Sequence, residues 1–152
     1  MSSVSELYQS VILDHNRTPR NYGRLEGDAR HARGHNPLCG DEVTVWLRVD
    51  GDTVADVRFE GQGCAISKAS ASLMTMAVKG RPVAEVAALA ERFHDLVTGK
   101  LDAASSAALP ARLQVFANVA QFPVRVKCAS MPWHTLKAAL AGGDAPELVE
   151  LK

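Results

Sequence analysis

Residues 43–77 read VTVWLRVDGDTVADVRFEGQGCAISKASASLMTMA, and a change of period inside this stretch decides the fold. Val43, Val45, Leu47 and Val49 alternate with Glu42, Thr44, Trp46 and Arg48, the two-residue pattern of a strand with one buried face. Asp50-Gly51-Asp52 then turns the chain, and Val54, Val57 and Phe59 form a second extended run, which predicts an antiparallel pair. Past Gly61-Gln-Gly-Cys64 the period lengthens. Ile66, Ala69, Leu73 and Ala77 make one helical stripe, ended by Gly80 and Pro82.

Working outward, Ser3-Val-Ser-Glu6 has the form of a capping box, and Leu7, Val11 and Ile12 recur at helical spacing until Pro19. Residues 20–36 mix Gly, Asn, Arg and His without a period and read as loop with a short strand around Ala32. Val83 to Phe93 is amphipathic, and Thr98-Gly99 interrupts it. Asp102 to Ala111 reads as irregular, Arg112 to Ala120 as helix, Pro123 to Lys127 as extended, and Pro132 to Ala141 as helix again. The expected fold is α+β: a small antiparallel sheet of about three strands with helices on one face, in a single domain over residues 1–152.

Composition narrows the function. The 152 residues are 47% hydrophobic and 22% charged, enough for one sizeable core. Lys plus Arg equals Asp plus Glu at 17 each, so no global positive field gathers nucleic acid or an anionic membrane surface. Neither partner is expected. Without a leader pattern or an eighteen-residue apolar run, a cytoplasmic location is expected.

The three cysteines are an odd number for a disulfide framework and read as thiols. Cys39 and Asp41 are two apart, which in extended backbone puts both on one side, with Gly40 leaving the approach open. Cys64 stands at a helix start, where unpaired N–H groups and the dipole favour a thiolate. Gly61 and Gly63 permit the tight turn that aims it, and the Ala/Ser face behind it lets the helix approach its neighbours. Cys128 is expected at the end of the extended 124–127 piece. Three thiolates and a carboxylate suit Zn²⁺, with Arg125 and Lys127 available to offset the charge. No pair is C-x-x-C, and inert buried cysteines beside a solvated aspartate fit the pattern equally well. His15, His31, His35, His94 and His134 each read as ordinary surface or core histidines. Met74 and Met76 read as core packing, and Trp133 as either a partner anchor or a lid on the core.

Asn36-Pro-Leu-Cys-Gly-Asp41, Gly61-Gln-Gly-Cys-Ala-Ile-Ser67 and Arg125-Val-Lys-Cys128 with Trp133 together resemble the SufU family of bacterial iron–sulfur cluster assembly, within the wider IscU/NifU-N superfamily. Leu7-Tyr8, Asp14-His15 and Pro19-Arg-Asn21 extend the resemblance over nearly the whole chain. IscU-type scaffolds carry His directly before the third Cys, where this sequence has Lys127, and residues 90–109 look like a SufU-type insertion. The resemblance implies a zinc-dependent sulfurtransferase that accepts persulfide sulfur from a SufS-type cysteine desulfurase and serves downstream scaffold proteins of the SufBCD type. It implies Cys39, Asp41, Cys64 and Cys128 as metal ligands and Cys39 as the sulfur acceptor, displaced from zinc by a histidine of the desulfurase. Two alternatives accompany it: an IscU-type scaffold holding a transient [2Fe–2S] cluster, and a non-catalytic, zinc-stapled activator of the desulfurase.

Overall fold

The protein is described here from a computed structural model over residues 3–27, 29–36, 40–102, 104–105, 109–142 and 148–150. In chain order the elements are α1 (Ser3–Arg17), β1 (Arg30–Asn36), β2 (Asp41–Asp50), β3 (Thr53–Gln62), α2 (Ala65–Val78) and α3 (Val83–Val97). There follow a four-residue α4 (Ala111–Gln114), a 3₁₀ segment (Val115–Gln121), α5 (Pro123–Gly142) and a short β4 (Leu148–Glu150). The sheet runs β3-β2-β1-β4, antiparallel through its first three strands and parallel where β4 meets β1.

The alternation at 43–49 does what its period dictates. Val43, Val45 and Leu47 are buried, and Val45 lies between Ala32 of β1 and Phe59 of β3 in one cross-strand row facing the helices. On that face α5 lies across β1 and β2 while α2 packs against β3, α1 and α5. Gly34 sets the closeness of the β1 to α5 contact: a Cβ there would sit 2.0 Å from the Oγ1 of buried Thr135 and 3.3 Å from Met131. No helix among the described residues is long and apolar enough to cross a membrane.

Four expectations need correction. Residues 20–36 hold a full seven-residue strand rather than a short one, because its burial comes from Ala32, Gly34 and Asn36, residues with little intrinsic strand signal. Residues 123–127 are not extended but form the first turn of α5; Pro123 suits a helix's first position, and Val126 packs on the core. Helix formation at 112–120 gives way to 3₁₀ after four residues. Leu7 and Met76 face outward, and the buried stripe of α1 is Tyr8, Val11, Ile12 and His15. Within residues 90–109, Ala90, Phe93, Leu96 and Val97 join the core, with Phe93 stacked on buried Trp133 at 4.6 Å.

The Pro19-Arg20-Asn21 motif acts as a clamp between α1, α2 and β3. Arg20 N–H donates to Ser72 Oγ (2.8 Å), Asn21 Nδ2 donates to Thr75 Oγ1 (3.0 Å), and Phe59 N–H donates to the Asn21 carbonyl (3.1 Å). Ser72 Oγ also meets His15 Nδ1 at 2.7 Å. His15 is fully buried, and its Nε2 has no partner among the described residues. Burial, with Arg20 adding, lowers its pKa to about 4, so the ring is neutral in the fold.

Two outcomes follow. Gly34→Ala is expected to destabilise the fold by ~1–3 kcal/mol in urea unfolding, since Thr135 cannot yield without leaving its buried site; an unchanged midpoint would mean the β1 to α5 spacing is slack. Because the folded pKa of His15 lies below the unfolded value, its contribution is intact above about pH 6.5 and is lost as pH falls towards 4, on the order of 2 kcal/mol. His15→Gln should flatten that part of the stability profile, and parallel profiles for the two proteins would remove His15 as the cause.

Candidate metal centre

The site is built where three elements meet. Asp41 is the first residue of β2 and, at 1% exposure, lies on the buried face of the sheet, paired across the ladder with buried Asn36. Cys64 is the N-cap of α2, in extended backbone, and its sulfur accepts from Ser67 N–H at 3.4 Å. The two are joined directly: Cys64 N–H donates to Asp41 Oδ1 at 2.8 Å, and Cys64 Sγ lies 3.5 Å from Asp41 Oδ2. One carboxylate oxygen therefore fastens the start of α2 to the start of β2, while the other faces the sulfur. A carboxylate at a helix N-terminus is favoured by the helix dipole.

Cys128 completes the group from the second turn of α5, and one ligand atom from each of Asp41, Cys64 and Cys128 can be chosen with all three within 4.8 Å of one another. Its place inside a helix corrects the expectation that it ends a strand. Close packing of α2 on α5 brings it there: Ser67, Ala69, Ser70, Ala71 and Ser72 are all buried, and Ser70 Oγ donates to the Ala129 carbonyl at 2.6 Å while accepting from Trp133 Nε1 at 3.2 Å. Longer side chains on that face would hold the two sulfurs apart.

The glycines divide the work expected of them. Gly63 has φ +143°, and a Cβ there would stand 2.1 Å from Asp41 Oδ1, so both its conformation and its missing side chain serve the junction. Gly61 makes no turn. It is a strand residue opposite Val43, where a Cβ would meet the Glu42 carbonyl oxygen at 2.5 Å.

Cys39 lies outside the described residues. Its neighbour Gly40 has φ +72° and donates its N–H to the Asn36 carbonyl at 2.8 Å, so Gly40 turns the chain into β2. The expectation that Cys39 and Asp41 share one side of the chain therefore falls outside the described residues.

Electrostatics favour an anion at Cys64. Its pKa is lowered, chiefly because the Cys128 thiol hydrogen-bonds to its sulfur, with Ser67 N–H adding; burial and the Asp41 charge oppose. The helix start thus contributes less than the neighbouring thiol. An ionised Cys64 beside the Asp41 carboxylate places two negative charges in a partly buried site, an arrangement that calls for a cation. The donor set fits zinc: thiolate and carboxylate ligands of one tetrahedral Zn²⁺ stand roughly 3.6 Å apart, against the 3.5 Å between Cys64 Sγ and Asp41 Oδ2.

Sequence reasoning missed Tyr8. Burial raises its phenol pKa, Arg125 opposes that shift, and Cys64 and Cys128 add to it, which places Tyr8 near the thiols. Its signal was its place on the buried face of α1, one residue past the exposed Leu7. Arg125 is exposed on the first turn of α5, its guanidinium 4.7 Å over the Phe122 ring, and Lys127 is half-buried. Among the described residues, no histidine belongs to this group.

Residues 7–142 match the model of the NifU-like N terminal domain. The chain is 39% identical over 140 residues to the zinc-dependent sulfurtransferase SufU of Bacillus subtilis (strain 168), covering 92% of this chain and 93% of that protein. It is equally 39% identical over 140 residues to the iron–sulfur cluster assembly scaffold protein IscU of Streptococcus pyogenes serotype M1, covering 92% and 86%. A crystal structure from Fervidobacterium islandicum AW-1, described as a candidate iron–sulfur cluster assembly scaffold protein for the SUF system, superposes with TM-score 0.79 at 34% identity, covering 89% of this chain and 97% of that one. A match over most of the chain, together with near full-length likeness to SufU and IscU proteins, makes this chain a member of the NifU-like N-terminal domain family.

Proposed function

We propose that the protein is a zinc-dependent sulfurtransferase of iron–sulfur cluster assembly: it accepts persulfide sulfur on Cys39 from a SufS-type cysteine desulfurase and delivers it to downstream scaffold proteins of the SufBCD type. The observation that carries this reading is the convergence of Asp41, Cys64 and Cys128 from one strand and two helices onto a space the size of one ion. Cys39, Asp41, Cys64 and Cys128 are the proposed ligands. A bound zinc keeps its thiolates deprotonated at neutral pH and shields them from oxidation.

In the transfer, the Cys39 thiolate attacks the terminal sulfur of the desulfurase's persulfide. A new S–S bond forms at Cys39, the donor's S–S bond breaks, and the donor cysteine leaves as thiolate with no net oxidation. Three supports hold the rest of the site in place during this exchange: Asp41 by its bond to Cys64 N–H, Cys64 by capping α2, and Cys128 by the packed second turn of α5. Cys39 stands in the sequence Pro37-Leu-Cys-Gly40, flanked by Pro and Gly. That sequence setting is why Cys39 is the ligand proposed to move.

Lys127 before the third cysteine favours sulfur transfer over the scaffold reading, which the IscU-named relative keeps in view. Cys39→Ala is expected to remain folded yet to gain no sulfur in mass spectrometry after incubation with desulfurase and cysteine; sulfur gain equal to that of the wild type would remove Cys39 from its role. Protein purified without chelators is expected to hold about one zinc per chain and no stoichiometric iron. Iron accompanied by the visible absorption of a [2Fe–2S] cluster would establish the scaffold instead.

A further inference from the structure

Away from the thiols, α3 and α5 bring two histidines and a glutamate to the edge of one cavity. His94 on α3 and His134 on α5 face each other with ring centroids 5.5 Å apart at 68°. They line a cavity of about 200 Å³ with Glu91, Ser130 and Lys137, next to the Phe93–Trp133 stack. His94 Nδ1 and Ser130 Oγ are buried and have no hydrogen-bond partner among the described residues. Leaving such a group unsatisfied costs about 1–3 kcal/mol, so the cavity holds polar atoms that a ligand would complete.

We infer that His94 and His134 form a second binding site, free of thiols, for a divalent ion of the zinc type, with Glu91 supplying a carboxylate. Two imidazoles on one tetrahedral ion at about 2.0–2.1 Å place their ring centres roughly 5 Å apart, close to the spacing already present between these rings. Glu91 and His94 are three apart on α3, hence on one helical face. The Glu91 carboxylate is at present paired with Lys137, and both side chains are substantially exposed. An exposed pair of this kind is worth ~0–1 kcal/mol, so turning the carboxylate towards the histidines is a small cost that releases Lys137 to water.

The ligand chemistry selects the ion. Two imidazole nitrogens with one carboxylate suit Zn²⁺, Ni²⁺ or Cu²⁺, and the mixed set disfavours Mg²⁺ and Ca²⁺, which take all-oxygen shells. His134 follows Cys128 by six residues, about 9 Å along the helix axis, so the two clusters share α5 but no ligand. The inference does not rest on the proposed sulfur transfer.

Equilibrium dialysis of the full chain against zinc salt, with bound metal counted by mass spectrometry, tests it. The wild type is expected to bind one more zinc than His94→Gln and His134→Gln do, each variant weakening that ion by at least about tenfold while its circular dichroism stays unchanged. Glu91→Gln should weaken it by less. X-ray absorption at the zinc edge on wild-type protein needs no variant: the added ion should see only nitrogen and oxygen. No zinc beyond that bound at the thiols, an added zinc undiminished in both histidine variants, or an added zinc with sulfur neighbours would each overturn the inference. A protein whose thiol site fails to hold zinc but whose histidine-dependent zinc persists would contradict the proposed function alone.

Discussion

The bond from Cys64 N–H to Asp41 Oδ1 is the constraint on which the arrangement turns. It satisfies a helix-start donor that would otherwise be orphaned, places a negative charge at the positive end of α2, and fixes the distance between the sheet's end and the helix carrying the second thiol. Gly63 makes it possible by occupying a left-handed backbone region and leaving empty the space the carboxylate needs. The same carboxylate is thus both a structural fastener and a candidate ligand, which couples the integrity of α2's first turn to the chemistry of the site.

Closeness elsewhere is obtained by omission of side-chain volume. Small residues on α2 bring it against α5, and Gly34 lets β1 lie under Thr135. Interiors are packed densely enough that each of these missing atoms matters. The result is that a strand, a helix start and a helix interior, distant in sequence, meet with ligand atoms inside 4.8 Å. Tyr8, whose phenol pKa is raised by burial and by the thiols and lowered by Arg125, adds a phenol beside this group.

α5 links the two ligating clusters. One turn carries Cys128 against α2, and the turns beyond it carry Ser130, His134 and Lys137 against α3. Trp133 lies between, donating to Ser70 and stacking on Phe93, so the residue that read as either a partner anchor or a lid is the wedge that keeps three helices in register.

Much was legible from the sequence alone. The alternation at 43–59 and the longer period after Cys64 specified the hairpin and the helix, because side-chain periodicity is a local property of backbone geometry. Cys64 as an N-cap was readable for the same reason. Cys128 was not: Val124 to Lys127 alternates like a strand, and only packing against α2, α3 and the sheet makes it a helix. β1 was underestimated because Ala32, Gly34 and Asn36 have weak strand preference and are held by their neighbours' hydrogen bonds. The sequence named the ligating residue types and two of their local settings; the tertiary structure decided which of them meet, since convergence of residues far apart in the chain depends on packing distances that no local pattern encodes.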